Sequence, residues 1–254
     1  MRDLWAMSDG GTLAVETPIA LVFDGTTQAV MMATPADLED FVIGFALTEG
    51  LIDQPSDITR VEVVDQASGI EARAWLRPEF GQRLKARRRA MLGPVGCGLC
   101  GIDSLNEALR PLKPVSQTVQ LGPLDPPRAM GSLRAAQPLQ DATRAAHAAA
   151  LWSPDAGLIL LREDIGRHNA LDKLAGASAR KGAESGGVLV MTSRLSVDLI
   201  QKAAMIGVEV IIAAGAPTAL AAAEATRAGI TLIGRTRDSS YQTFTHPNRI
   251  REAA

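Results

Sequence analysis

Apolar and polar positions follow two different rhythms along this chain, and the change near residue 157 divides it. In the first half, apolar runs pair across turns. "TLAVETPIALVF" and "TTQAVMMA" flank Asp24-Gly25, a dipeptide suited to the positive-φ positions of a hairpin turn. "TPADLEDFVIGFALTEG" has helical periodicity, with Thr34 placed as N-cap, Pro35 at the first helical position, acids in the first turn and Gly50 at the end. "ITRVEVVD" and "GIEARAWLR" make a second strand pair around "QASG", completing a small ββαββ unit.

From 157 onward short continuous apolar runs take over: "GLILLRE", "GVLVMTS", "VEVIIAAG" and "ITLIG". Such runs predict strands buried on both faces. Between them "HNALDKLAGASA", "SVDLIQKAAMIG" and "PTALAAAEATRAG" have helical periodicity, with Gly207 and Gly229 at the expected stops. Strand–helix alternation with short links predicts a mostly parallel sheet covered by helices. "TRAAHAAALW" reads as a further helix, carrying His147.

Prolines at 111, 114, 123, 126, 127 and 138 predict a segment without regular structure. The expected organisation is an α+β unit over 1–110, a proline-rich connection over 111–138 and an α/β unit over 139–254.

Composition narrows the class. The 254 residues are 46% hydrophobic and 21% charged, ordinary for a globular protein, and aromatics are only 4%, so packing through small residues is expected. A net charge of −2 offers no global attraction to nucleic acid. No apolar run reaches the roughly 18–20 residues needed to span a membrane. The opening "MRDLWAMSDGG" lacks the basic and apolar regions of a signal peptide, so a cytoplasmic location with reduced thiols is expected.

In a parallel sheet the strand C-terminal ends share one edge, and ligands bind there. The segments that follow the four strands are "EDIGRHN", "SRLS", "GAPT" and "GRTRDSS". They bring Arg167, Arg194, Arg235 and Arg237 together with Ser193, Thr218 and the hydroxyls of 236–240. Helix starts at the same edge add unpaired N–H groups, so an anionic, phosphate-bearing ligand is expected. Hydroxyls and prolines also start helices without any ligand, and that reading accounts for "SRLS" and "GAPT" taken singly. His168 fits a capping or core-bonded role as well as a catalytic one.

Both cysteines of the chain, Cys97 and Cys100, lie in "GPVGCGLCG". A structural zinc site needs four ligands, and the 21-residue separation of His147 and His168 fits no finger spacing. A zinc nucleobase deaminase needs H-x-E ahead of P-C-x-x-C. Here the cysteines precede the histidine, which is followed by alanines, so no metal site is expected. The preceding "RLKARRRAMLGPVG" supplies positive charge, which favours the thiolate, although such a stretch also serves as a solvated helix face. A redox pair and a persulfide carrier both remain open on the residues alone.

"EDIGRHNALDKLAG" together with "CGLCG" resembles the FdhD family of sulfurtransferases, which activate formate dehydrogenase. "ETPIAL…MMATPADLEDFVIGFALTEG" is similar to that family's N-terminal block, and "SRLSVDLIQKAA" and "APTALAAAEATRAGITLIGRTR" to its C-terminal blocks. The resemblance implies a cytidine-deaminase-like C-terminal α/β domain beside a smaller N-terminal α+β domain, and a homodimer. It implies sulfur taken from a cysteine desulfurase as a persulfide and passed to the molybdenum (or tungsten) bis-guanine-dinucleotide cofactor of formate dehydrogenase. That cofactor is bound transiently, as cargo. By motif, Cys97 is the persulfide residue and Cys100 its partner. The nucleotide portion is expected near Arg235, Thr236, Arg237, Asp238, Ser239 and Ser240, with Arg167, His168, Ser193, Arg194 and Thr218 at the same edge. Two positions depart from the family pattern: Arg235 stands where an aromatic is usual, and "TSRLS" lacks a glycine between Ser193 and Arg194. The competing classes are a cofactor-binding chaperone whose thiols are incidental, and a disulfide oxidoreductase.

Overall fold

The computed structural model describes residues 2–81, 83–84, 111–182 and 187–251; Cys97 and Cys100 lie outside them. A hairpin of β1 (Trp5–Ser8) and β2 (Gly11–Ala14) precedes a four-stranded sheet of β3 (Thr17–Phe23), β4 (Thr26–Ala33), β5 (Ile58–Gln66) and β6 (Gly69–Leu76). Its order is β4-β3-β6-β5, with β3 and β6 parallel and both outer pairs antiparallel. Asp24 and Gly25 both take positive φ in the β3–β4 turn, as the dipeptide predicts. Helix α1 (Leu38–Thr48) packs the inner face of this sheet through Phe41, Val42, Phe45 and Ala46, against Ile19, Leu21 and Phe23.

A six-stranded sheet forms the larger layer, in the order β12-β11-β10-β9-β7-β8. Its strands are β7 (His147–Ser153), β8 (Gly157–Asp164), β9 (Val188–Met191), β10 (Val210–Ala213), β11 (Thr231–Gly234) and β12 (Gln242–Thr243). Strands β9, β10 and β11 are parallel and every one of their residues is buried, as the continuous apolar runs predict. On one face lie α4 (Arg167–Arg180), α5 (Val197–Met205) and α6 (Ala219–Ala228); on the other lies α2 (Asp125–Arg134), followed by the short α3 (Pro138–Thr143). The result is the expected layered α/β architecture beside a smaller α+β layer.

Three expectations are corrected. Residues 145–153 do not form a helix: "HAAALWS" is β7, a central strand antiparallel to β8 and to β9. Ala148 and Ala150 face α2, and Ala149 and Leu151 face α4, so the alanines let helices approach both sides of the sheet. The proline-rich segment is not without regular structure, because Pro126 and Pro127 sit in the first turn of α2, where N–H groups have no helical acceptor anyway. Helix α1 starts at Leu38 rather than at Pro35, and its N-cap is Asp37 in the left-handed region. Thr34 is drawn away from capping by the contacts described below.

The two layers meet where α1 crosses α4. Gly44 and Gly176 sit at the crossing: a Cβ on Gly44 would collide with the carbonyl oxygen of Asp172, and one on Gly176 with that of Asp40. Buried charges flank the contact. Asp40 accepts from Arg162 Nη2 at 2.6 Å and Arg180 Nη1 at 2.8 Å. Lys202 Nζ of α5 reaches Asp172 of α4 at 2.8 Å and Glu49 at 2.9 Å, and donates to Thr48 of α1 at 3.0 Å.

Candidate functional site

Strand β8 runs antiparallel to β7, and β7 antiparallel to β9, so β8 points the same way as β9–β11. The C-terminal ends of these four strands therefore share an edge, and the beginning of β7 lies at that edge too. A cleft opens along it in two adjoining lobes. The smaller, of about 340 Å³, is lined by His147, Arg167, Thr192, Ser193, Arg194, Ala214 and Gly215. The larger, of about 680 Å³, shares His147, Thr192 and Ala214 and extends under α3 to Arg134, Gln137 and Arg144.

The segment after β8 is fixed by a single carboxylate. Asp164 is fully buried. Its Oδ1 accepts from Gly166 N at 2.8 Å and Asn169 Nδ2 at 2.9 Å. Its Oδ2 accepts from Thr34 N at 3.1 Å and pairs with the equally buried Lys173 Nζ at 2.6 Å. Lys173 also donates to Thr34 O at 2.8 Å, Asn169 to Met32 O at 2.9 Å, and Ile165 N to Thr34 Oγ1 at 3.2 Å. Three polar side chains of "EDIGRHNALDK", Asp164, Asn169 and Lys173, with the Ile165 N–H, thus clamp the end of β4 onto the start of α4. What this clamp presents to the cleft is Arg167, the first residue of α4.

Neighbouring Arg194 is exposed, and Gly215 lets the next strand's loop approach it: a Cβ there would come within 2.7 Å of Arg194 Cα. Arg167 and Arg194 have no ion-pair partner among the described residues. Arg134 and Arg144 at the far lobe are partly neutralised, by Asp238 at 3.1 Å and Asp141 at 3.7 Å. Gln137 is 3% exposed and its Nε2 donor has no hydrogen-bond partner among the described residues. A buried donor left open in a cleft lined by four arginines suits an anionic ligand with acceptor atoms.

His147 holds the centre. Burial pushes its imidazole pKa down, the positive charges of Arg167 and His168 push it further, and Asp164 opposes them. His168 turns to Asp198 of α5, its Nε2 lying against the carboxylate. Burial would raise the Asp198 pKa, but the His168 imidazole and the Ser196 hydroxyl outweigh it and hold the carboxyl at about 2.

Of the positions expected from sequence, Arg167, Ser193 and Arg194 line the cleft. Ser193 Oγ donates to Arg194 O at 2.9 Å. Thr218 caps α6, its Oγ1 accepting from Ala221 N at 3.1 Å. Thr236 is fully buried with its hydroxyl unpartnered, and its N–H donates to Ala213 O at 3.1 Å. Arg235, Arg237, Asp238, Ser239 and Ser240 form an exposed rim at this edge rather than the lining. Arg235 N donates to Gly215 O at 3.0 Å, which ties that rim to the cleft. His147, Arg134, Gln137 and Arg144 were not expected at the site. Reading β7 as a strand would have placed His147 there.

Comparison with known proteins agrees with the fold. A model of the FdhD/NarQ family matches residues 14–251. A relative from Agrobacterium fabrum, named sulfur carrier protein FdhD, is 47% identical over 237 residues, 92% of this chain and 88% of its own length. One of the same name from Brucella abortus is 52% identical over 241 residues, 94% of this chain and 89% of its own. Among solved structures, a candidate formate dehydrogenase accessory protein from Desulfotalea psychrophila superposes with a TM-score of 0.72 at 24% identity, covering 97% of this chain and 96% of its own.

Proposed function

Since the chain belongs to the FdhD/NarQ family, we propose that it is a sulfur carrier serving a formate dehydrogenase. In this reading a cysteine desulfurase hands its persulfide sulfur to Cys97 or Cys100, and the carrier passes it to the molybdenum (or tungsten) bis-guanine-dinucleotide cofactor. The first transfer is an exchange: the carrier thiolate attacks the outer sulfur of the donor persulfide, a new S–S bond forms, and the donor leaves as a thiolate with no net oxidation. A second cysteine three positions away can repeat that exchange.

The observation that carries the reading to its cargo is the cleft. A bis-guanine-dinucleotide has two pyrophosphates, and the edge offers, among the described residues, Arg167 and Arg194 without ion-pair partners, the open donor of Gln137 and the helix start at Arg167. The nucleotide portion sits in this cleft, with the rim from Arg235 to Ser240 closing over it.

Mass spectrometry after incubation with a desulfurase and free cysteine tests the carrier role. The expected adduct is about 32 Da, one sulfur atom, on Cys97 or Cys100. Cys97→Ala is expected to abolish activation of a formate dehydrogenase in cells lacking the native carrier, and Cys100→Ala to slow it. Full activation by the double variant overturns the proposal. A homodimer is part of the same reading, and sedimentation at micromolar concentration tests it.

A further inference from the structure

We propose that His147 is a ligand-binding residue of the cleft, a neutral imidazole with its proton on Nε2 that donates to an acceptor atom of the bound nucleotide. The proposal rests on the nucleotide reading above and adds to it a residue and a proton.

Hydrogen bonding around Thr192 selects the tautomer. Thr192 Oγ1 accepts from Ala148 N at 3.0 Å and lies 3.3 Å from His147 Nδ1. A hydroxyl has one hydrogen and two lone pairs. With one lone pair taken by Ala148, the hydrogen has a single acceptor in reach among the described residues, His147 Nδ1. Were Nδ1 protonated instead, the hydroxyl hydrogen would find no acceptor among the described residues. Nδ1 is therefore the acceptor and Nε2 carries the hydrogen. No protein group among the described residues bonds Nε2, and His147 lines both lobes.

The surroundings keep the ring uncharged. Arg167 of α4 lies beside it, and Arg134, Arg144 and Arg194 line the same cleft; Asp164, its cross-strand neighbour on β8, favours the imidazolium, while the Asp141 carboxylate of the larger lobe is paired with Arg144. A neutral donor among arginines adds direction without adding charge. It discriminates by the presence of an acceptor, where the arginines respond to charge alone. The position follows from topology: β7 begins where β8 and β9 end, so its first residue sits in the floor of the cleft.

Two measurements test this. Nitrogen-15 NMR of the free protein, with His147 assigned by its loss in His147→Gln, reads the tautomer directly. The Nε2–H form at pH 7 is expected, and an Nδ1–H form or a charged ring overturns the proposal. Calorimetry with GDP then compares three chains at pH 6.5 and 8. His147→Phe is expected to bind about tenfold more weakly, the loss of one hydrogen bond to a charged or strongly polar acceptor. His147→Gln keeps a neutral N–H donor and is expected to stay within about threefold of the parent, with the same ratio at both pH values because no proton is taken up at this site. Parent-like affinity in His147→Phe overturns this assignment alone. Failure of the parent chain to bind GDP overturns the nucleotide reading and this assignment with it.

Discussion

Replacing Lys173 by methionine keeps the apolar stem and removes the ammonium that faces Asp164. Both side chains are fully buried, and the pair is 2.6 Å apart. Removing one partner of such a pair leaves a charge in the interior, which typically costs about 3–5 kcal/mol. Asp164 retains three N–H donors, from Thr34, Gly166 and Asn169. They stabilise the orphaned carboxylate, so the lower end, about 3 kcal/mol, is expected. With a urea slope of about 3 kcal/mol/M for a chain of this size, the unfolding midpoint should fall by about 1 M. Asp164→Asn alone leaves the lysine unpaired and should cost a similar amount. The double variant contains neither charge, so it should be more stable than the sum of the singles predicts, by at least about 1 kcal/mol. A loss below about 1 kcal/mol for Lys173→Met, or strict additivity in the cycle, would refute the claim that this pair clamps the two layers.

Gly176→Ala places a methyl group against the Asp40 carbonyl, so α1 and α4 must separate; a loss of about 3 kcal/mol, at the upper end of overpacking costs, is expected in thermal unfolding. The Asp198 carboxyl is held at about 2, below its ordinary 3.8. A depressed folded-state pKa gives stability that is complete above the unfolded value and lost as pH falls through the folded one. The parent should therefore lose roughly 1–2 kcal/mol between about pH 4 and 2 that Asp198→Asn does not lose, read from urea midpoints across that range. Arg194→Ala should weaken GDP binding about tenfold in calorimetry while leaving the melting temperature within about 2 °C, since Arg194 is exposed and supports no ion pair among the described residues.

Local patterns made much of the architecture legible. The tetrads VLVM, VIIA and TLIG on β9–β11 have no polar face, which only a strand covered on both sides tolerates. Asp24-Gly25 set the β3–β4 hairpin. What escaped was decided by distant partners. Alanine favours helices when nothing else intervenes, but Ala148, Ala149 and Ala150 are small because α2 and α4 press on opposite faces of β7. Thr34 looks like a cap in its own segment, yet its three polar groups are taken by Asp164, Ile165 and Lys173, 130 to 139 residues on. The same applies to the site. Strand order brought Arg167, Ser193 and Arg194 to the cleft as expected, while the misread strand concealed His147 and the misread connection concealed Arg134 and Gln137. The "EDIGRHNALDK" stretch stood out as a motif, but its contents serve the clamp at least as much as the cleft.

The charge cluster at Lys202 also sets a condition on the order in which the chain can fold. Among the described residues the ammonium that meets Asp172 on α4 is that of Lys202, which also reaches Glu49 and Thr48 at the end of α1. During synthesis, at about 5–20 residues per second, closing the α1–α4 crossing before α5 has emerged would bury the Asp172 carboxylate without its ammonium, at a cost. Early docking of the small N-terminal layer on a half-made partner is thereby disfavoured. Docking is reserved for a chain whose β9 and α5, and with them the Ser193–Arg194 side of the cleft, have already been made.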